Sequence, residues 1–210
     1  MGVTVAFSLS QFSEVFKIRD ATGLPYILIG GQAVNYWAER YLAIEPQLKS
    51  LQPFTSEDID FKGGSDDVRR ILGVSQSVDA LAVQAEWNGK TIRVLDPISL
   101  LASKLELIAR VPQEKRRDVA HLKILLPCVR AFLHEFLQQV ESGQIPAKHW
   151  LGAVNQVLKL TTNQRARKIA GRHQINWPEI LPLSAIASSK HEKIRRFQEQ
   201  QLERGFKKQV

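Results

Sequence analysis

The chain has 210 residues, 44% of them hydrophobic, which is enough to bury the core of one fair-sized domain or two small ones. Its single cysteine, Cys128, excludes an internal disulfide, and together with the five histidines it lacks the spacing of zinc ligands. The N-terminus has no signal-peptide pattern and no run approaches the roughly 18 apolar residues of a membrane span, so we expect a cytoplasmic protein without membrane contacts.

The net charge of +8 is unevenly distributed along the chain. From Thr161 onward there are 11 lysines and arginines against 4 acidic residues, whereas the preceding part is nearly neutral. This asymmetry favours a polyanionic partner, most often nucleic acid, through contacts with phosphates. A solvated helical face is the alternative interpretation. The candidate RNA contacts form two clusters: Arg165, Arg167, Lys168 and Arg172, and Lys190, Lys193, Arg195 and Arg196.

Helical and strand-like patterns alternate in the first half of the chain. Apolar residues at helical spacing predict helices over residues 10–21, 32–41 and 66–72. Strands are predicted over residues 26–29, 54–61, 81–87 and 91–95, and the last two flank Asn88-Gly89, a strong hairpin signal. Residues 43–53 are expected to form a loop or irregular insertion.

From Asp96 onward the apolar residues recur at the period of a helix. Helices are predicted over residues 97–111, 113–126, 129–141, 148–159, 163–172 and 188–208. The sequence therefore predicts an α+β fold, with a small mixed β-sheet and flanking helices over residues 1–96 and a basic, helical C-terminal region over residues 97–210.

Two aspartates alternate with apolar residues in the second predicted strand. Side chains two residues apart on a strand point to the same face, about 7 Å apart, so Asp58 and Asp60 would present both carboxylates on one side. Like charges in this arrangement are unfavourable unless a cation lies between them. Mg²⁺ or Mn²⁺ is the expected cation, because such ions prefer oxygen ligands and Mg²⁺ shares them with substrate phosphates. A half-exposed strand with polar residues outward is the alternative.

The glycine pair Gly30-Gly31 lies where the first predicted strand passes into a helix. Amides at the start of a helix can donate to a phosphate, and glycines let that phosphate approach the backbone closely. A tight turn that needs a positive φ is the alternative reason for the pair. The acidic pair that follows in the sequence favours the phosphate interpretation.

Two charged residues fall inside the apolar faces of predicted helices. Lys104 lies among leucines in the helix over residues 97–111, and Asp118 shares its stripe with leucines in the next helix. Neither charge is expected there without a partner. One interpretation is a buried ion pair between the two, or a Lys104 that extends to solvent. The other is that Lys104 contacts a triphosphate, which Asp118 orients.

Asp96 also admits two interpretations. It ends a strand that could lie beside the acidic pair, which would make it a third metal ligand. Asp followed by Pro97 is, however, the expected signature of a helix N-cap, and we favour that role. Glu86 is a weaker candidate for a third acid, and Arg117 is the basic residue near Asp118 that we expect to contact a phosphate.

Four segments together resemble the nucleotidyltransferase superfamily, most closely its AbiEii/AbiGii-type toxin branch: LIGGQAV, TSEDIDF, DPISLLASKLELIARV and RRDVAHL. The resemblance covers roughly residues 26–126. It implies a glycine-initiated helix, an Asp-x-Asp strand, a lysine helix and an Arg-Asp helix in this order. The positions that match are the metal ligands Asp58 and Asp60, the phosphate turn Gly30 and Gly31, and the later functional charges Lys104 and Asp118.

The sequence departs from the family pattern at three places. Gly31 stands where the family often has serine, which removes one hydroxyl contact to phosphate. The stretch between Gly31 and Asp58 is long, so residues 43–53 must loop out without moving the aspartates. His121 stands where the family usually has a second aspartate.

The resemblance implies a metal-dependent nucleotidyltransferase that moves a nucleoside monophosphate from an NTP to an acceptor and releases pyrophosphate. The expected acceptor is RNA, tRNA included, because the C-terminal half is basic, and an antitoxin protein is an implied partner. The expected catalytic residues are Asp58, Asp60, Lys104 and Asp118, and the expected nucleotide-binding residues are Gly30, Gly31, Lys104 and Arg117. The alternatives are an enzyme of the same chemistry acting on a small molecule, and a catalytically inactive module that binds nucleic acid or a protein.

Overall fold

The computed structural model describes residues 6–23, 26–62 and 82–202. Contacts between residues group the chain into two compact units, Met1–Leu125 and Leu126–Val210. The predicted helix over residues 66–72 lies outside the described residues. The helix that follows Asp96 belongs to the first unit, whereas the sequence-based division at residue 96 assigns it to the C-terminal region.

The first unit contains a four-stranded sheet, with the helices of the unit before, between and after the strands. Its helices are α1 (Ser13–Ala21), α2 (Gly30–Tyr41), α3 (Pro97–Arg110) and the beginning of α4 (Asp118–Glu141). Its strands are β1 (Ile27–Ile29), β2 (Asp60–Lys62), β3 (Ala82–Trp87) and β4 (Lys90–Leu95). Short 3-10 helices cover Leu9–Phe12 and Pro46–Leu51, the latter within the predicted loop.

The sheet is mixed, as predicted. Its strand order is β2-β1-β4-β3, and β1 pairs antiparallel with β2 but parallel with β4. The β3–β4 hairpin is confirmed: Trp87 pairs with Lys90, and both turn residues, Asn88 (φ 48°) and Gly89 (φ 74°), have positive φ. Two positive φ values define the type I′ turn whose twist matches that of the flanking strands, which explains why Asn-Gly signalled it.

The core of the first unit forms between the sheet and helices α2 and α3. Strand β1 lies inside the sheet, so its sequence is apolar throughout, and Leu28 is completely buried. The buried indole of Trp37 on α2 donates from Nε1 to the carbonyl of Leu95 at 2.8 Å, which attaches α2 to the end of β4. This packing fixes the start of α2 relative to the strands.

One predicted strand and two predicted helices differ from the observed elements. The strand predicted over residues 54–61 is wrong in extent, because β2 begins only at Asp60 and Asp58 lies in the bend before it. Two predicted helices, over residues 113–126 and 129–141, are one helix, α4, with Pro127 inside it. Proline removes one backbone donor from a helix. The residues around it, Leu126, Cys128 and Val129, are all buried, and this packing compensates for the lost hydrogen bond.

The second unit is helical, as predicted. After the remainder of α4 it contains α5 (Ala147–Thr162), α6 (Gln164–His173), α7 (Leu183–Ala187) and α8 (Glu192–Phe197), and a 3-10 helix at Trp177–Ile180. The fully buried indole of Trp150 donates to the carbonyl of Leu133 at 2.8 Å. The last predicted helix is described only to Leu202, where α8 continues as a π-helical turn. Within the described ranges, every helix is too short or too polar to cross a bilayer.

Candidate active site

A cavity of about 400 Å³ lies in the first unit. The ends of β1 and β2, the first residues of α2, one face of α3 and the beginning of α4 form its walls. It brings together most of the residues singled out in the sequence, namely Gly30, Gly31, Asp58, Asp60, Lys104, Arg117 and Asp118. The sheet and helix packing described above therefore assembles the candidate residues around one space.

The acidic pair lines this cavity. Asp60 pairs in the β1–β2 ladder with Ile29, the residue before the glycine pair, so its carboxylate lies at the start of α2. Burial within the cavity, followed by the charge of Asp58, raises the pKa of Asp60 above its ordinary value of 3.8, although the residue as a whole remains exposed. The nearby charges of Lys104 and Lys62 only partly oppose this effect. The pair is thus a site of excess negative charge that a cation would relieve.

Both glycines are required by the packing of the acidic segment. Gly30 has a φ of +69°, and a Cβ added there would lie 2.3 Å from Asp60 Oδ2. A Cβ on Gly31 would lie 2.2 Å from Ser56 Oγ and 2.8 Å from His121 Cε1. The tight-turn interpretation therefore accounts for Gly30, and close packing accounts for Gly31. Neither excludes a phosphate at the first amides of α2, which donate no hydrogen bond to the side chain of the N-cap residue, because Ile29 has no acceptor.

Lys104 and Asp118 form the ion pair that was one of the two sequence-based interpretations. Lys104 Nζ lies 2.7 Å from Asp118 Oδ1, and the exposed fractions of the two side chains are 7% and 4%. Arg116 Nε approaches the other carboxylate oxygen at 2.6 Å. Burial alone would raise the pKa of Asp118, but Lys104 and then Arg116 lower it below its ordinary value. Asp118 is therefore a fixed anion between two cations that both line the cavity.

Asp96 does not join the acidic pair. Its Oδ1 accepts hydrogen bonds from the backbone amides of Ile98 (2.9 Å) and Ser99 (3.0 Å), so it is the N-cap of α3. Burial raises its pKa although these hydrogen bonds lower it. Asp96 is not among the residues that line the cavity, so the structure gives it the capping role and does not bring it to Asp58 and Asp60. Glu86 is on β3, at the opposite edge of the sheet from β2.

Arg117 and His121 both contact the backbone or side chain of Thr55. Arg117 Nη1 donates to Thr55 Oγ1 at 2.5 Å, and His121 Nε2 lies 3.4 Å from the Thr55 carbonyl oxygen. Burial, and then the charge of Lys104, lowers the pKa of His121 from 6.5 to about 4, so its imidazole is neutral at physiological pH. Arg117 also lines the cavity, and a guanidinium has five N–H donors, of which the hydrogen bond to Thr55 uses one.

The roles of Thr55 and Ser56, and the contact that His121 makes with Thr55, were not predicted from the sequence. Ser56 is buried, and its Oγ lies 3.5 Å from Asp58 Oδ1. A signal was present, because Thr55 and Ser56 directly precede the acidic segment and can hydrogen-bond to neighbouring side chains and backbone. Nothing in the sequence indicates the partners of Thr55, which are Arg117 and His121 and lie 62 and 66 residues away.

The residues present fit a divalent cation that arrives with a nucleotide. Across residues 6–23, 26–62 and 82–202, no group of three or more His, Cys, Asp or Glu is placed to hold a metal ion. Two carboxylates without further protein ligands suit Mg²⁺, which is usually held by one or two carboxylates together with substrate phosphates and water. The cationic side chains Lys104, Lys115 and Arg116 line the same cavity and could neutralise such phosphates.

The second unit carries the basic clusters. On α6 the residues Ala166 and Ile169 are buried, whereas the four predicted contacts, Arg165, Arg167, Lys168 and Arg172, are exposed. The helical period aligns Arg165, Lys168 and Arg172 on one face. In the other cluster, Arg195 donates to the carbonyl of Ser189 and Arg196 pairs with Glu192, so these two cations are already engaged within the unit.

Comparison with known proteins adds no assignment. No family model matches the chain, and neither a curated protein nor a solved structure matches it.

Proposed function

We propose that this protein is a metal-dependent nucleotidyltransferase that moves a nucleoside monophosphate from an NTP to an acceptor. The observation that carries the proposal is that Asp58, Asp60, the Gly30-Gly31 helix start and Lys104 line one cavity. Carboxylates for a divalent cation, backbone amides for phosphate and a lysine for developing charge are the parts that phosphoryl transfer needs. The carboxylates, the amides and the lysine come from different elements of the fold, so they do not lie together merely because they are close in sequence.

Each residue has a defined task in this proposal. Asp58 and Asp60 hold Mg²⁺ or Mn²⁺, which when bound neutralises charge on the phosphates and favours deprotonation of the acceptor hydroxyl. The amides at Gly30 and Gly31 bind phosphate oxygens, and Lys104 neutralises the charge that develops on them. The acceptor oxygen bonds to the α-phosphorus, the bond to the bridging oxygen breaks, pyrophosphate leaves, and the acceptor proton passes to a carboxylate of the acidic pair.

Asp118 holds Lys104 in place in this reaction. A lysine side chain has high conformational freedom, and fixing its ammonium group before the substrate arrives lowers the cost of using it. The ion pair and a phosphate contact are compatible, because an ammonium group has three donors and the hydrogen bond to Asp118 uses one of them.

The proposed acceptor is RNA, including tRNA, and the proposed setting is the toxin of a toxin–antitoxin pair, with an antitoxin protein as partner. The support for RNA is the exposed basic face of α6. The support for the toxin branch is the resemblance of the four segments described above. A small hydroxylated acceptor is the alternative, and its binding would depend little on salt, whereas RNA binding would weaken steeply as salt increases.

One observation favours a second candidate, a catalytically inactive module that binds RNA or a protein. Lys104 is already neutralised by Asp118, as expected of an ion pair with a purely structural role. Such a module would bind its partner equally well after both aspartates of the acidic pair are replaced.

Label transfer separates these candidates. The protein is incubated with Mg²⁺, each α-labelled NTP in turn, and total RNA, and the variants Asp58→Asn and Asp60→Asn are compared with Glu86→Gln, which removes an acidic charge on β3 outside the cavity. We expect label on RNA with the wild type and with Glu86→Gln, and none with either aspartate variant. Transfer that survives in both aspartate variants refutes the proposal, whereas absence of transfer by the wild type itself, with RNA binding unchanged in both aspartate variants, supports the inactive module.

A further inference from the structure

Thr55 receives two contacts from the beginning of α4. Arg117 Nη1 donates to its Oγ1, and His121 Nε2 lies 3.4 Å from its carbonyl oxygen. Arg117 and His121 are one helical turn apart, since the amide of His121 donates to the carbonyl of Arg117 at 2.9 Å. The two side chains therefore hold both the side chain and the backbone of Thr55.

Ser56 connects this contact to the acidic pair. Its amide and carbonyl both pair with Phe7, at 2.9 and 2.8 Å, and its Oγ lies 3.5 Å from Asp58 Oδ1. Ser56 Oγ and His121 Cε1 also fill the space beside Gly31 in which a Cβ would otherwise stand. Asp58 itself lies in a bend outside β2, so the strand ladder does not fix its position.

We propose that Arg117 and His121 are positioning residues that act through Thr55 and Ser56 to hold the Asp58 carboxylate at the cavity. The proposal rests on the proposed function only in taking Asp58 as a ligand of the divalent cation. It gives Arg117 a task different from the phosphate contact expected from the sequence, and it gives His121 a task that an aspartate at the same position could not perform.

The chemistry of the two side chains fits this role. An N–H on His121 Nε2 can donate to the Thr55 carbonyl, whereas an aspartate carboxylate there would face that carbonyl as a second acceptor. His121 Nδ1 is buried and has no hydrogen-bond partner among the described residues, as expected of the unprotonated nitrogen of a neutral imidazole. Its lowered pKa agrees with that state. Partners that orient a metal ligand, without touching the metal, commonly have large effects on metal affinity.

The test replaces the connecting groups one at a time. Thr55→Val keeps the shape of the side chain but removes the acceptor of the Arg117 hydrogen bond, and Arg117→Gln removes the donor. Thr91→Val is the matched control, because the hydroxyl of Thr91 also takes part in a side-chain hydrogen bond, as donor to Glu86, but Thr91 lies outside the cavity. Thr55→Ser restores the hydroxyl and serves as the conservative variant.

Two readouts are taken on the full-length protein. The first is the NMR shift of the Asp58 amide in the absence of metal, and the second is the affinity for Mn²⁺ without nucleotide. We expect Thr55→Val and Arg117→Gln to move the Asp58 signal in the same direction and to weaken Mn²⁺ binding roughly 10-fold each. The double variant should be no weaker than either single one, because both break the same connection. Thr91→Val and Thr55→Ser should match the wild type.

The outcomes separate this inference from the proposed function. An unchanged Asp58 signal in Thr55→Val, or effects of the two single variants that multiply in the double variant, overturns the positioning role. If the wild type binds Mn²⁺ neither alone nor together with a non-hydrolysable NTP analogue, the proposed function fails, and the Asp58 signal still decides whether Thr55 positions that residue. If Thr55→Val does not fold, the Asp58 signal and the Mn²⁺ affinity of Arg117→Gln are compared with those of Thr55→Ser. This comparison tests the positioning role in the same way.

Discussion

Lys104 and Asp118 form a buried ion pair, with 2.7 Å between Nζ and Oδ1, in the wall of the cavity that also contains the acidic pair. The two are not equivalent, because Asp118 has a second cationic partner in Arg116, whereas Lys104 donates only to Asp118 among the contacts of the described residues. Removing Asp118 therefore leaves a buried ammonium group without an anion, and removing Lys104 leaves Asp118 paired.

The first prediction follows from this asymmetry. Asp118→Asn should lower the free energy of unfolding by about 3–5 kcal/mol, the usual cost of breaking a buried pair from one side. Lys104→Met should lower the free energy of unfolding distinctly less, because Asp118 remains neutralised by Arg116 and the methionine side chain replaces the methylenes of the lysine. Urea unfolding of both variants measures the difference. Equal losses, or a larger loss for Lys104→Met, would contradict this account of the pair.

The second prediction compares Gly31 with a control glycine, Gly152. Gly31→Ala should destabilise the protein by about 1–3 kcal/mol, as overpacking does, because its Cβ would lie 2.2 Å from Ser56 Oγ. Gly152→Ala, in the interior of α5 where no atom of the described residues outside the helix's own backbone lies within 4 Å of the added Cβ, should instead stabilise it by roughly 0.5–1 kcal/mol. Thermal unfolding of both variants is the measurement. A tolerated alanine at residue 31 would show that the close packing is absent.

The third prediction concerns Asp60 in the absence of metal. Because its pKa is raised in the folded state, the unfolded chain loses this proton first, and stability falls as pH rises from below 3.8 through the raised value. At pH 7 with a chelator present, Asp60→Asn should therefore unfold at a higher temperature than the wild type. The same variant should lose the stabilisation that Mn²⁺ gives the wild type, which is about 2.7 kcal/mol at 100 times the dissociation constant. A chelated wild type as stable as the variant would argue against a pKa of Asp60 that burial and the charge of Asp58 raise.

The fourth prediction concerns His121 and acid. Its pKa is lowered to about 4 in the folded state, so the unfolded chain takes up the proton first as pH falls below 6.5. The folded protein therefore keeps its full stability above pH 6.5. As the pH falls from 6.5 to about 4, it loses on the order of 3 kcal/mol through this group. His121→Gln should flatten the stability profile across that interval. NMR titration of the imidazole checks the cause directly, and an ordinary titration near pH 6.5 would refute it.

The fifth prediction concerns the basic face of α6. If RNA is the acceptor, replacing Lys168 or Arg172 by glutamine should weaken RNA binding similarly for different sequences and reduce the salt slope by about one phosphate contact each. Lys49→Gln, an exposed lysine of the first unit, is the control and should change neither quantity. Unchanged binding in both α6 variants would remove the support for RNA and favour a small acceptor.

Local chemistry explains which parts of the fold could be predicted. The hairpin at Asn88-Gly89 followed from the φ values that only a few residues adopt, and the cap at Asp96 from the aspartate–proline signature of a helix start. Charges inside apolar stripes identified Lys104 and Asp118, since buried charges need partners. These signals lie within a few residues of the features they predict.

Long-range packing explains which features of the fold and of the site could not be predicted from the sequence. Helix α4 continues through Pro127 because its neighbours are buried on all sides, a property that local propensity does not encode. Asp58 lies outside the strand, and its surroundings depend on Arg117 and His121, which are about 60 residues away in sequence. The candidate acids could therefore be named from the sequence, but not the groups that hold them.

The most direct test of the central claim is a crystal soaked with Mn²⁺ and a non-hydrolysable ATP analogue, examined by anomalous diffraction. The proposed function predicts an anomalous peak bonded to carboxylate oxygens of both Asp58 and Asp60, with the analogue's phosphates directed toward the start of α2. A crystal in which the analogue or the Mn²⁺ binds elsewhere, with the acidic pair free of metal, would contradict it.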